Sequence, residues 1–337
     1  MLSFIDIENN LGTKVTLCNV GAAIYDIKTL DKNGLQESIV YTTKSKDDFP
    51  YDNSYFGKTI GRTGGRISSS KFSLNSKDYV IESEDPNGLH GGSSSLAFKE
   101  FSSQKEETED YIKIIFSYYS ADKESGYPGN LDLKVSYTLY KNSNVLNLEY
   151  DASCDQDTLL NLSNHTYFNL SGNAKNNILE HQLFINASKM ERIEELIPQE
   201  IISCSPIYSF KNMHAIKDNL FNKEIINNTN GYDFPYIFDE VNKNKEQIYL
   251  LDPISNRSLS IKTTYPVVVI YTCNYVGEEL MNNNKIAEPY NAICLEAMYH
   301  PNTINSPFLK DKLDVLKKGQ KYHEEITYTF NKEEKEC

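Results

Sequence analysis

The chain has 337 residues, with 47 acidic against 34 basic side chains and a formal net charge of −13. That balance, with no long basic run, excludes a nucleic-acid partner, because phosphate neutralisation needs clustered lysine and arginine. No apolar run approaches the roughly 18 residues that cross a membrane, and the opening MLSFIDIENNLGTKV lacks the basic and apolar regions of a signal peptide. The expectation is a cytoplasmic protein with no membrane partner. Its acidic surface favours a monomer or a small homo-oligomer. Cys18, Cys154, Cys204, Cys273, Cys294 and Cys337 form no CxxC pair. They are expected to be separate reduced thiols, neither a disulfide framework nor a zinc site.

In chain order, the turn signal DKNG (31–34) comes first. GKTIGRTGGR (57–66) is glycine-rich but lacks the spacing of either nucleotide-binding loop. It is either a tight turn with close backbone approach, or a device that presents Arg66 as a clamp for an anion or hydroxyl. After DPNG (85–88), His90 sits in PNGLHGG. It is either a surface loop histidine or one whose glycines leave room for a ligand. Ile112, Ile114, Phe116 and Tyr118 alternate as a strand does, and GYPGN (126–130) turns the chain. Leu131, Leu133, Val135, Tyr137 and Leu139 form one buried face. KNSN (141–144) follows, and alternation resumes at Leu146, Leu148 and Tyr150, so the two segments predict a hairpin.

NLSNHTYFNLSG (161–172) surrounds His165 with Asn161, Asn164 and Asn169. Buried amides must be satisfied. The segment is therefore either a polar network holding a bend or the wall of a hydroxyl-binding pocket. SKMERIEELIP (188–198) predicts one short helix. Asp233 lies in NGYDFPYIFD, and VVVIYT (267–272), after the turn DPISNR (252–257), predicts a buried strand. Glu296 follows the apolar run NAICL. A carboxylate there is costly to desolvate, so its pKa should rise toward that of a general base, unless it faces solvent on an edge strand. His181, His214 and His323 have polar neighbours and read as surface residues, whereas His300 is expected at the rim of a site beside Glu296. With no linker or repeat, the chain predicts one all-β domain over residues 1–337. That domain would be a large antiparallel β-sandwich with few short helices.

Taken together, six blocks resemble the aldose 1-epimerase (galactose mutarotase) family, in the family's order. They are NSYFGKTIGRTGGRI, NGLHGG, GYPGNLDLKVSYTL, LSNHTYFNLSG, GYD (231–233) and CLEAMYHP (294–301). The resemblance implies a sandwich with an open central cleft, a sugar substrate and no cofactor or metal. It implies that Glu296 is the general base and a protonated His165 the general acid. His90, Arg66 and Asp233 would hold sugar hydroxyls, and His90 would be placed to share proton delivery to the ring oxygen. Gly65, Asn164, Tyr167, Val269 and Tyr299 are the further rim positions. The chain departs from the family pattern at Gly65 (usually Asn), Phe234 (usually His), Tyr299 (usually His) and Val269 (polar or aromatic in some relatives). The preferred sugar is left open. Rival readings are a sugar-binding protein without catalysis and a glycoside hydrolase using Asp233 and Glu296, which release from a chromogenic glycoside would reveal. A metal site of His90, His165 and a carboxylate lacks HxH or HxxxH spacing.

Overall fold

The computed structural model describes residues 1–312 and 314–331, and Cys337 lies outside them. Strands dominate, and the α-helices among the described residues, Lys217–Leu220 and Lys223–Thr229, are short. No helix among the described residues is long and apolar enough to cross a membrane. The predicted hairpin forms from Leu131–Tyr140 and Val145–Cys154. Its register sets Val135 opposite Tyr150, Tyr137 opposite Leu148 and Leu139 opposite Leu146. Apolar thus meets apolar across one face, which is what stabilises a strand pair. Tyr111–Ser120 and Lys321–Phe330 flank this hairpin within a nine-stranded antiparallel sheet.

A second, six-stranded sheet runs in the order Tyr167–Phe168, Ile293–Met298, Val267–Tyr271, Asp233–Phe238, Ala187–Glu194, Ile197–Ser203. Its strands are two-sided. Phe234, Tyr236, Val268, Ile270, Leu295 and Ala297 join the same apolar core as Leu133, Val135, Leu148, Tyr150 and Ile326 of the large sheet. The alternate residues Asp233, Pro235, Val269, Tyr271, Glu296 and Met298 face a cleft on the other side. Because the period of a strand is two, burying one face in the core delivers the other to the cleft. The expected sandwich of antiparallel sheets is the observed architecture.

Residues 188–198 are not a helix. They form the hairpin of Ala187–Glu194 and Ile197–Ser203. Glu195 and Leu196 both take positive φ, at 48° and 62°, as a two-residue primed turn requires. The helical look came from Met190 and Ile193, both buried and three apart. The extra residue at the register shift, Gln199, lies on the partner strand, so Met190 and Ile193 are on opposite faces of a strand buried on both sides, and Ile193 lines the cleft.

His181 is a second correction. It is buried, and its Nε2 accepts the Leu170 backbone N–H at 2.9 Å, which ties down the loop after NLSNHTYFN. Its polar neighbours had suggested exposure, but Glu180 faces solvent while the His181 ring turns inward to the Leu170 backbone. His214 is half-buried and stacks on Phe210, whereas His323 is exposed between Asp151 and Glu325. Cys18, Cys154, Cys204, Cys273 and Cys294 are free thiols.

Candidate active site

The cleft on the outer face of the six-stranded sheet encloses about 300 Å³. Cross-strand register builds its floor. Pro235 lies opposite Val269, and Val269 opposite Glu296. In the next row Asp233 lies opposite Tyr271, Tyr271 opposite Cys294, and Cys294 opposite Tyr167. The walls are loops. One carries Ser54 and Tyr55, one Gly65 and Arg66, one His90, and one His165. Arg66, His90, His165, Asp233 and Glu296 thus share one cavity, together with Gly65, Tyr167 and Val269.

Two glycines bring the first loops together. At Gly91 an added Cβ would lie 1.9 Å from the Gly61 carbonyl oxygen, so no side chain fits and the His90 loop packs directly on the 61–66 loop. At Gly65, φ is +74° and a Cβ would meet Pro301 at 2.9 Å. The departure from Asn at this position therefore follows the local backbone and the proximity of Pro301. Gly65 also donates its N–H to His90 Nδ1 at 3.2 Å.

His165 is buried and held on both ring nitrogens. Nε2 is 3.4 Å from Glu296 Oε1, and Nδ1 is 3.5 Å from Cys294 Sγ. Burial pulls its pKa down to about 4. Glu296 is also buried, and its Oε2 has no hydrogen-bond partner among the described residues. Burial pushes its carboxyl well above the ordinary range, the charge of Asp233 adds to this, and Arg66 opposes it. Burial disfavours a charge on either member, so an imidazolium is held here only opposite a carboxylate. Asp233 is raised to about 6 by burial, against the pull of Arg66. Arg66 itself lies 3.4 Å from Asp85. His90 is held well below the usual imidazole value by burial, then by the nearby His165 and Arg66.

Raised carboxyls have a stability consequence. Such a group binds more protons folded than unfolded, so stability falls as pH rises from its unfolded to its folded value. For Asp233 that window runs from 3.8 to about 6. The part of the side chain that meets solvent reduces the penalty, leaving on the order of 1–2 kcal/mol at neutral pH. Asp233→Asn is therefore expected to raise urea stability at pH 7.5 and to have little effect at pH 3.5. An equal change at both pH values would contradict the raised pKa.

His90, His165 and Glu296 each offer a metal-ligand atom, all within 4.8 Å of one another. The surroundings do not suit a metal. An imidazole ligating through Nε2 carries its proton on Nδ1 and donates it outward. Here His90 Nδ1 faces the Gly65 N–H, which needs an acceptor. His90 is therefore set as a neutral ring with Nε2–H, a hydrogen-bond donor.

Other sequence-predicted positions point elsewhere. Asn164 does not line the cleft. Its amide donates to the Gly57 carbonyl at 2.9 Å and its oxygen accepts from Thr166. Asn161 brackets the Tyr299 backbone, and Asn169 donates to the Asn176 and Asn291 carbonyls. Of the two readings of this segment, the amides form the network that holds the bend, while His165 and Tyr167 reach the cleft. Tyr299 is not at the rim either. It packs edge-on against Tyr265 and binds Glu324. His300 is buried and paired with Glu191 rather than at the rim. Phe234 packs on Tyr208 in the core, so the departure there does not touch the cleft. Sequence reasoning missed Tyr55, Tyr271, Cys294 and Met298. Stepping two residues either way from Glu296, or two on from Val269, finds all but Tyr55.

The fold and cleft define a β-sandwich protein with a buried imidazole–carboxylate pair, suited to moving protons on a small polyhydroxyl molecule. The chain belongs to the aldose 1-epimerase family, whose model, described as aldose 1-epimerase, matches residues 3–329. It is 30% identical over 335 residues to the aldose 1-epimerase of Haemophilus influenzae, covering 97% of this chain and 95% of that one. It is 28% identical over 321 residues to human galactose mutarotase, covering 94% and 91%. Among solved structures, the aldose epimerase homologue from C. elegans superposes with a TM-score of 0.88 at 26% identity, covering 98% and 99%.

Proposed function

We propose that the protein interconverts the α and β anomers of a free aldohexose, galactose or glucose, by acid–base ring opening and reclosure. It acts as a single domain spanning the chain, in the cytoplasm, as a monomer or small homo-oligomer. The observation that carries this reading is the 3.4 Å approach of His165 Nε2 to Glu296 Oε1 inside a buried cleft. Mutarotation removes a proton from the C1 hydroxyl and delivers one to the ring oxygen. The C1–O5 bond breaks to give the open-chain aldehyde, C1 rotates, and the ring closes on the other face. From the form in which the pair's proton sits on His165, the Glu296 carboxylate takes the hydroxyl proton and the imidazolium supplies the other. On reclosure the proton transfers reverse. His90, with Nε2–H as donor, would bond the ring oxygen as a neutral group. Asp233 would accept from sugar hydroxyls, and Arg66 would donate to them.

Polarimetry on freshly dissolved α-D-glucose and α-D-galactose tests this. The protein is expected to speed the approach to equilibrium rotation on at least one sugar. Activity should fall on acidification, with the limb above pH 4.5, because protonation of a carboxyl with a raised pKa removes the base. Sugar binding with rates equal to the blank would favour the non-catalytic reading instead.

A further inference from the structure

The Tyr55 backbone has φ +59°, a region that a bulky side chain enters only under strain. The loop around it explains how that conformation persists. Asp52 Oδ1 accepts the N–H groups of Ser54 and Phe56, each at 3.1 Å. Asp52 Oδ2 is 2.6 Å from Lys58 Nζ, and both side chains are almost wholly buried. The Lys58 ammonium also lies over the rings of Phe49 and Phe98, at 5.3 and 4.9 Å. Breaking a buried ion pair strands a charge, so this loop is a stiff mount.

The mount presents the Tyr55 ring to the cleft. The ring stands edge-on to His90, with centroids 4.8 Å apart at 74°, and 6.0 Å from His165. Its hydroxyl makes no hydrogen bond among the described residues. Of the other cleft tyrosines, Tyr167 donates to the Ser54 carbonyl and Tyr271 to the Tyr275 carbonyl, whereas Tyr275 itself is largely exposed to solvent. Arg66 and Asp85 lie near enough to the phenol to act on it electrostatically, and burial keeps it protonated, with a pKa of about 12. A strained aromatic with an unspent hydroxyl, mounted over two histidines, resembles a group kept for a ligand rather than for packing.

We propose that Tyr55 is a sugar-contacting residue, its hydroxyl bonding a sugar hydroxyl beside Arg66 and its ring shielding His90 and His165 from water. This rests on the epimerase reading above. The test compares wild type, Tyr55→Phe and Tyr55→Gly by mutarotation kinetics and thermal melting. Tyr55→Phe keeps the ring and is expected to raise KM about five- to tenfold with kcat within about twofold, the signature of a lost contact made equally in ground and transition states. Tyr55→Gly suits the positive φ and keeps the fold. It is expected to lower kcat and to move the acid limb of kcat/KM to lower pH, because water then reaches Glu296. Wild-type kinetics in Tyr55→Phe would overturn the hydroxyl contact, and an unmoved pH profile in Tyr55→Gly would overturn the shielding. If wild type itself fails to speed anomer exchange, the epimerase reading falls. Calorimetric titration of glucose and galactose then decides Tyr55, with weaker binding to Tyr55→Phe supporting the contact and equal binding overturning it.

Discussion

Glu296→Gln is expected to slow anomer exchange by about 10³-fold while leaving the protein folded and able to bind sugar. Glutamine keeps the shape and the Oε1 acceptor near His165 Nε2 but cannot take a proton. The loss should fall on kcat, since a proton is transferred only in the transition state. Stability should rise at neutral pH. The raised carboxyl binds a proton more readily folded than unfolded, so wild type loses stability as pH rises above the unfolded value near 4.5, and the variant has nothing there to titrate. Polarimetry and urea titration on the same preparations read both effects. A variant with near wild-type kcat would remove Glu296 from the chemistry. A variant that loses sugar binding as well would make it a binding group instead.

His165→Asn is expected to cost about 10²–10³-fold in kcat. Asparagine can occupy the Nδ1 side of the ring position and still meet Cys294, but it does not reach Glu296. The acid limb, set by Glu296, should persist in this variant and vanish in Glu296→Gln. The double variant should be little worse than the poorer single, because two groups that act as one unit are not additive. Full additivity would mean that the two act independently, contrary to their 3.4 Å contact. Circular dichroism should show the fold retained. His165 also touches Tyr167 and Tyr271, however, and the smaller side chain leaves some of that contact unfilled.

Period-two patterning in segments such as LDLKVSYTLY was enough to place strands, and turn chemistry at 31–34 or 126–130 was enough to separate them. These are local properties, set by which residues tolerate a pleat and which a reversal. The 188–198 hairpin escaped the same logic because its first strand is buried on both faces, so Met190 and Ile193, on opposite faces, share the spacing of three that a helix shows. His165 and Glu296 stood out because a histidine among amides and a carboxylate after an apolar run are costly without a partner. What the sequence could not decide was direction. Asn164, Tyr299 and His300 are one to four residues from cleft residues, yet they turn into backbone networks or buried pairs. Tyr55 reaches the cleft from a loop that a buried Asp52–Lys58 pair braces, with its backbone at positive φ. Glu296, Val269 and Pro235 line up only through strand register, across more than sixty residues of chain. The sequence by itself determined that strands dominate and that side chains such as His165 and Glu296 are costly to leave without a partner, because those depend on side-chain type and local spacing. Which of them share one water-poor cleft was decided by the tertiary structure, because pairing register and the choice of buried face are set by contacts far apart in the chain.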